Sequence, residues 1–431
     1  MPEKPILQLA LDILNLDHAI EMAKEAQASV DWIEAGTPLI KSEGMNAIRE
    51  LKRNFPGHTI VADMKTMDTG AFETEMAAKA GADIVCILGA ADDETIAEAA
   101  RSAKKYGAKI MVDLINTKNT AKRAAEVEKL GADYVGIHVG IDQQMRGKSG
   151  LEAVKAVASA VKIPVSVAGG MNSESAPLAI KSGASIVVVG GAITKAPHCG
   201  KAAESIKKAM ESKKAASTEL YKKYSGENII EAFQKVSTCN ISDAMHRKGA
   251  MPGIRPVAPG LKFAGRALTV RTMDGDWAKP VEAIDHAKKG EVLVIDACAG
   301  KTAIWGELAT WSAKMQGIAG VVIDGAARDA DRIREMKFPV FSRYVASNAG
   351  DPKGFGEIGA EIICGGQTVR SGDWIIGDDS GVVVVPQEQA LEIANRSLDV
   401  LEQENRIREE IKRGSTLSKV LKLKKWEKYV G

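Results

Sequence analysis

The residues best suited to chemistry lie in Asp63-Met-Lys-Thr-Met-Asp68. In an extended stretch Asp63 and Lys65 are two positions apart and share a face, while Asp68 falls in the loop beyond. A lysine beside two carboxylates keeps its proton and keeps them ionised. Glu34 ends a different apolar run and, with Asp63, offers two hard oxygen donors. Such a pair suits Mg2+, with Mn2+ as a substitute, because Mg2+ takes one or two protein carboxylates and fills its shell with water and substrate oxygen. Asp12 and Asp113 end two further apolar runs, and His138 ends another as the one imidazole so placed, a candidate general base. Ionisable groups in apolar segments are costly unless paired or metal-bound, so this recurrence indicates a site.

Two glycine pairs complete the pattern. Val-Ala-Gly-Gly (167–170) and Val-Gly-Gly-Ala (189–192) end two later apolar runs, so Gly169, Gly170, Gly190 and Gly191 let backbone N–H groups approach an anion such as a phosphate. The combined chemistry is that of a phosphorylated substrate whose reacting end meets a divalent cation near a histidine. A base would remove a carbon-bound proton while the cation stabilises the oxyanion of an enediolate.

These residues need a scaffold that gathers strand ends. Eight short apolar runs alternate with Ala-, Lys- and Glu-rich stretches of helical period: Ile6–Ile13, Trp32–Thr37, Thr59–Lys65, Ile84–Gly89, Lys109–Ile115, Tyr134–Gly140, Pro164–Gly170 and Ser185–Gly191. Unbroken hydrophobicity suits parallel strands buried on both faces, joined by right-handed helical crossovers. The phrases AGAD (80–83), LGAD (130–133) and SGAS (182–185) each precede a run, where glycine can end a helix. This predicts an α/β chain that begins with a (β/α)8 TIM barrel over 1–210, its reactive groups at the C-terminal strand ends. Residues 211–225, opening on ESKKAAST, read as a linker.

From 226 to 431 the pattern changes to Gly- and Pro-punctuated strands (Ile254–Leu261, Ala267–Thr272, Val292–Asp296, Gly320–Ile323, Trp374–Gly377, Val382–Val385) around helices near 301–316 and 329–336. A separate α/β domain is expected there, with a helical tail from Glu388 to a basic end containing Lys419, Lys422, Lys424, Lys425 and Lys428 against Glu427. That run reads as a solvated helix face. Hydrophobic content of 45%, charged content of 26% and a formal charge of +2 are ordinary for a soluble protein and give no reason to expect nucleic acid. No run approaches the roughly 20 apolar residues that span a bilayer. The start lacks a signal-peptide layout, and the five cysteines have no ligand spacing, so a reducing cytoplasmic setting is expected.

LQLALD (7–12), WIEAGTPLIKSEG (32–44), VADMKTMDTG (61–70), HVGIDQQ (138–144) and VAGG…VVGGAITKA resemble 3-hexulose-6-phosphate synthase, within the orotidine-monophosphate decarboxylase suprafamily. The likeness covers about 4–210. It implies a reversible aldol reaction between D-arabino-3-hexulose 6-phosphate and D-ribulose 5-phosphate plus formaldehyde. It also implies Mg2+ on Glu34 and Asp63, Lys65 near the enediolate oxygens, and a barrel dimer in which Asp68 reaches the neighbouring subunit's site. Two relatives differ: orotidine-monophosphate decarboxylases carry Lys where this chain has Glu34. Keto-gulonate-phosphate decarboxylases carry Arg at the position of Ile141 and Glu at that of Asp113.

In the second half, GELA (306–309), GVVIDGAARDADRIREMKFPVFSR (320–343) and GDWIIGDDSGVVVVP (372–386) resemble the RraA family, which includes hydroxymethylglutarate/carboxy-oxaloacetate aldolases. That resemblance implies a pyruvate-type carboxylate held by Gly306, Glu307 and Leu308 and by Arg328, with a divalent metal on Asp329. An arginine fork suits a carboxylate and an adjacent Asp suits Mg2+. The same family contains members that only bind proteins, so a regulator of RNA processing is the competing expectation, and a keto-gulonate-phosphate-type decarboxylase is the competing enzyme. Joining a two-fold barrel pair to a three-fold RraA-like ring makes six chains the smallest closed set with both axes.

Overall fold

The eight apolar runs become eight parallel strands that close on themselves: β1 (Ile6–Leu11), β2 (Trp32–Ala35), β3 (Thr59–Thr66), β4 (Ile84–Leu88), β5 (Lys109–Asp113), β6 (Tyr134–His138), β7 (Val165–Ala168) and β8 (Ile186–Val189). This is a computed structural model, and it describes residues 4–421 apart from Lys148, Leu220 and Ser225, with the backbone alone at Glu227. Lys422, Lys424, Lys425, Glu427 and Lys428 of the basic end lie outside the described residues, whereas Lys419 sits exposed in the helix Leu417–Leu421.

Alternation along each strand builds the barrel. Leu7, Leu9 and Leu11 are fully buried and belong to the layer between strands and helices, with Ile33, Ala62, Ile110, Val135 and Val187. Each fully buried aliphatic side chain contributes about 1.5–3 kcal/mol. The opposite face of the strands points inward, where Trp32, Val61, Ile84, Cys86, Met111 and Ile186 fill the floor. Trp32 and Tyr134 meet edge-to-face there, with centroids 5.3 Å apart. A plugged floor leaves only the C-terminal end open. Helices end where the Gly-Ala phrases predict, with Gly81, Gly131 and Gly183 at φ of 106°, 105° and 108°.

Among the described residues, those up to Lys223 together with those from Glu402 form one compact unit, and Tyr224–Leu401 form the second. This corrects the expected domain boundaries in two places. The helix Cys199–Ser212 is followed not by a free linker but by a segment tied to the barrel: Ser173 and Ala216 exchange hydrogen bonds, and Thr218 N–H donates to Glu174. The end of the C-terminal helix (Ala390–Lys412) belongs with the barrel instead of the second domain. The reason is one arginine. Arg406, 7% exposed, donates to Glu410 at 2.7 Å, to the Ala196 carbonyl at 3.2 Å and to Glu25 at 3.4 Å. Helical periodicity alone carries no hint of that contact.

In the second unit Phe263–Arg271, Val292–Asp296, Gly320–Ala327 and Val340–Val345 run parallel, with Trp374–Asp378 and Gly381–Val385 antiparallel at one side. Two expectations fail locally. Ile254–Leu261 contributes only Arg255–Pro256 as strand, and the helix predicted near 301–316 begins at Glu307, after a short strand Ala303–Trp305. Among the described residues no helix is long and apolar enough to cross a membrane.

If Arg406 holds the tail to the barrel, Arg406→Met should destabilise the barrel unit by about 2–3 kcal/mol, the scale of several lost charged hydrogen bonds. Arg413 also reaches Glu25 but is 38% exposed, so Arg413→Met should cost about 1 kcal/mol or less. Denaturant unfolding of the full chain checks this, and equal small effects would detach the tail from the barrel's stability.

Candidate active site

Asp63 and Lys65 do meet, but not through the simple alternation that the sequence suggests. The register between β3 and β4 shifts between Ala62 and Thr66, so the stretch containing both residues bulges from the ladder. Lys65 takes a left-handed conformation, φ 49°, a strained choice for a side chain of this size. The bulge aims the ammonium back over the strand, where it donates to Asp63 Oδ1 and Oδ2 at 3.0 and 2.8 Å and to Asp113 Oδ2 at 3.3 Å. Burial alone would lower the Lys65 pKa, but Asp63 and Asp113 outweigh it and hold the ammonium above its ordinary value. Lys65 is therefore a fixed positive charge. Thr37, the first residue of the helix Thr37–Glu43 after β2, donates its hydroxyl to Asp63 Oδ2 at 2.8 Å.

Beside this pair the cavity is crowded with carboxylates. Glu34, 7% exposed, is pushed well above the usual range by burial first and then by Asp63 and Asp12. Asp12 lies just past β1, opening to solvent at the rim, and is raised by the protein around its carboxyl and by Asp63. Gln8 is the residue that sequence reasoning missed. It is 1% exposed on β1, its amide N–H donates to Glu34 Oε2, and its Oε1 is buried with no hydrogen-bond partner. The signal was available: a polar residue inside LQLALD, two and four positions from Ala10 and Asp12, so on the same face. Among the described residues no group of three or more His, Cys, Asp or Glu side chains is arranged to hold a metal. Glu34 and Asp63 nevertheless fit Mg2+, whose sites keep much of their shell as water and substrate. Glu34, raised by burial and by Asp63, and the orphaned Gln8 Oε1 beside it fit a cation with bound water, and Asp63 would then share its oxygens with Lys65.

His138 is joined to the charged end through Asp113. Its Nδ1 lies 2.9 Å from Asp113 Oδ2, the same oxygen that Lys65 reaches. Burial would raise the Asp113 pKa, yet hydrogen bonding and charge from His138, then Lys65, bring it below the ordinary value. An ionised carboxylate on Nδ1 orients the ring and leaves Nε2 for the cavity.

The far wall is made by the glycines. Gly169 and Gly170 have φ of 100° and 73°, and a Cβ at Gly169 would lie 2.4 Å from the Val139 carbonyl, so no other residue fits there. Gly190 and Gly191 line the same cavity, which has a volume of about 450 Å³ and lies in the range of small-molecule sites. All the barrel residues singled out from the sequence line it except Asp68. Asp68 is exposed on the loop after β3, its carboxylate accepting the Thr69 N–H. Ile141 takes an uncharged place in the lining.

The second unit gathers its own predicted residues. A cavity of about 290 Å³ is lined by Trp305, Gly306, Glu307, Leu308, Arg328 and Asp329 among others. Asp329 is left-handed, φ 56°, and precedes the helix Ala330–Met336 without capping it by its side chain. Its carboxylate instead accepts the Glu307 N–H at 3.0 Å, with Arg328 Nε at 3.5 Å. A Cβ at Gly306 would fall 2.5 Å from that carboxylate, so glycine is required for the approach.

Comparison with known proteins agrees with both units. Residues 5–206 match the family model described as orotidine 5'-phosphate decarboxylase / HUMPS family, and 238–384 match the RraA-like model, Aldolase/RraA. The 3-hexulose-6-phosphate synthase of Bacillus subtilis (strain 168) is 42% identical over 202 residues, 47% of this chain and 96% of that protein. The enzyme of the same name from Mycobacterium gastri is 42% identical over 204 residues, 47% of this chain and 99% of its own length. A crystal structure of 3-hexulose-6-phosphate synthase aligns with a TM-score of 0.46 at 42% identity, covering 48% of this chain and 99% of that one. With nearly the whole length of such relatives contained in its barrel, the chain belongs to the orotidine 5'-phosphate decarboxylase / HUMPS family, as a member carrying a second, RraA-like domain.

Proposed function

We propose that the barrel is an aldolase that interconverts D-arabino-3-hexulose 6-phosphate with D-ribulose 5-phosphate and formaldehyde. The carrying observation is the two-ended cavity, with Glu34, Asp63, Lys65, Asp113 and His138 at one end and four glycines at the other, in a barrel 42% identical to 3-hexulose-6-phosphate synthases. Bound Mg2+ on Glu34 and Asp63 would supply positive charge at the oxygens of an enediolate. Lys65 stays protonated and adds a hydrogen-bond donor at the same oxygens. His138, oriented by Asp113, removes the C1 proton of ribulose 5-phosphate through Nε2; the resulting carbanion attacks the formaldehyde carbon, whose C=O π pair moves to oxygen, and that alkoxide takes the proton from His138 to become the new hydroxyl. In the reverse direction His138 returns the proton. The glycine wall receives the phosphate. Ile141 lining the cavity supports this reaction over a keto-gulonate-phosphate-type decarboxylation, which the family resemblance associates with an arginine there. All five cysteines are free, which fits a reducing cytoplasmic setting.

The exposed loop carrying Asp68 is flanked by Met67 and Phe72, 54% and 69% exposed. This supports a barrel pair in which Asp68 completes the neighbour's site. In the second unit, Leu308, Trp311 and Met315 leave an apolar stripe on the helix Glu307–Met315 exposed, which supports a further contact there and the six-chain assembly. Arg328 and Asp329 at the second cavity support a pyruvate-type carboxylate as its ligand, with a divalent metal at Asp329.

EDTA should abolish formaldehyde-dependent loss of ribulose 5-phosphate, and Mg2+ or Mn2+ should restore it; full turnover by rigorously metal-free enzyme removes Glu34 and Asp63 as ligands. His138→Ala should slow exchange of the C1 proton with D2O by about 10²–10⁴-fold, and unchanged exchange returns His138 to a structural role. Inactive Lys65→Ala and Asp68→Ala chains should regain part of the activity after subunit exchange, since a shared site then receives one intact partner from each; no regain removes the shared site. For the second unit, oxaloacetate decarboxylation by the full chain should fall at least about tenfold in Arg328→Ala, and equal rates in both proteins dismiss that cavity as the site.

A further inference from the structure

The glycine end of the barrel cavity is short of positive charge, and Asp12 Oδ2 stands 3.6 Å from where a Cβ on Gly190 would be. Lys65 is the only Lys or Arg lining the cavity among the described residues, and its ammonium is committed to Asp63 and Asp113 at the other end. A phosphomonoester carries about −1.5 to −2 charge at neutral pH, and backbone N–H groups alone would have to meet it. What sits over these glycines comes from outside the barrel. Tyr221 lines the cavity. Its ring lies so close to Gly191 that a Cβ there would be 2.3 Å from Tyr221 Cε2. The glycine at 191 thus makes room for this ring. Tyr221 in turn carries two ammonium groups on its ring, Lys223 Nζ at 4.2 Å and Lys195 Nζ at 5.5 Å from the centroid.

The placement is built, not incidental. The segment leading to Tyr221 is pinned at Ser173, Ala216, Thr218 and Glu174. Tyr221 is left-handed, φ 53°, and its N–H donates to Glu402. Its hydroxyl lies 3.5 Å from Gln144 Oε1, and Gln144 Nε2 is anchored on the Val139 carbonyl at 2.7 Å. Residue 221 lies beyond residue 206, where the match to the barrel family ends.

We propose that the segment after the barrel is a working part of its active site: Tyr221 roofs the glycine end and holds Lys195 and Lys223 where they neutralise the substrate's phosphate. This rests on the reading of the substrate as a sugar phosphate. It makes Tyr221 a positioning residue whose loss weakens phosphate binding without touching the groups that move protons.

The test uses the full chain and two readouts. Inorganic phosphate is titrated calorimetrically into wild type, Tyr221→Ala, Tyr221→Phe and Lys195→Met. The same proteins are assayed for KM and kcat with ribulose 5-phosphate at saturating formaldehyde. Tyr221→Ala should raise both the phosphate Kd and the KM about tenfold, with kcat within about threefold, on the scale of a lost cation–π-held charge. Tyr221→Phe keeps the ring and should stay within about threefold of wild type, while Lys195→Met should raise the phosphate Kd about three- to tenfold. A phosphate Kd unchanged in both Tyr221→Ala and Lys195→Met, or no phosphate binding by wild type, overturns the proposal even if aldolase activity is present. Absence of turnover by wild type overturns the aldolase reading instead, and the phosphate titration still decides the role of Tyr221.

Discussion

Everything at the mouth of the barrel turns on one ammonium group set among four carboxylates. Lys65 touches Asp63 and Asp113 directly, while Glu34 and Asp12 stand beside Asp63 with pKa values raised by burial and then by Asp63. Lys65 opposes that rise at Glu34 and Asp12 and helps bring Asp113 below its ordinary value. With it, Asp113 is held ionised and can orient His138. Glu34 and Asp12, both raised, favour their protonated forms, and a divalent cation bound there would displace those protons and offset the crowding of carboxylates.

This charge pattern divides the cavity. Asp63 and Asp113 line one side and would be hostile to a phosphate, while the other is walled by glycines whose backbone can approach an anion, with Asp12 Oδ2 at their edge, 3.6 Å from a Cβ placed on Gly190. A substrate with a phosphate at one terminus and a carbonyl at the other has a single orientation that suits both ends. The barrel floor, sealed by Trp32, Tyr134 and their neighbours, excludes approach from below. Orientation is therefore decided by charge and not by shape alone.

Both units use the same local device. Lys65 in the barrel and Asp329 in the second unit are left-handed residues at or just past a strand end, and each places its charged group on a defined neighbour, Asp63 and the Glu307 N–H. Such backbone costs about 1–3 kcal/mol at a non-glycine residue and persists only where the surroundings over-determine it. In β3 the surroundings are the β4 ladder and the Asp63–Asp113 clamp. At Asp329 they are Gly306, which admits the carboxylate, and the Glu307 N–H that receives it.

Much of this was determined by sequence alone. Eight unbroken apolar runs separated by helical stretches specify parallel strands covered on both faces, because only that arrangement buries both sides of each strand. Charged residues at the ends of those runs mark the open end, because burial there would be prohibitive without partners. The tertiary structure decided what depends on contacts distant in the chain. The bulge in β3 follows from its register against β4, not from any residue type, and it sets the direction from which Lys65 reaches Asp63. Gln8 reads as one more polar residue until Glu34, on the neighbouring strand, is seen to need its amide. The tail beyond Glu402 has the same helical period whatever it packs against, and its place on the barrel is set by Arg406 finding Glu25 and the Ala196 carbonyl. The segment after the barrel has linker composition because composition records local propensity; its attachment to the barrel follows from hydrogen bonds of Ala216, Thr218 and Tyr221 to Ser173, Glu174 and Glu402 that no local pattern encodes.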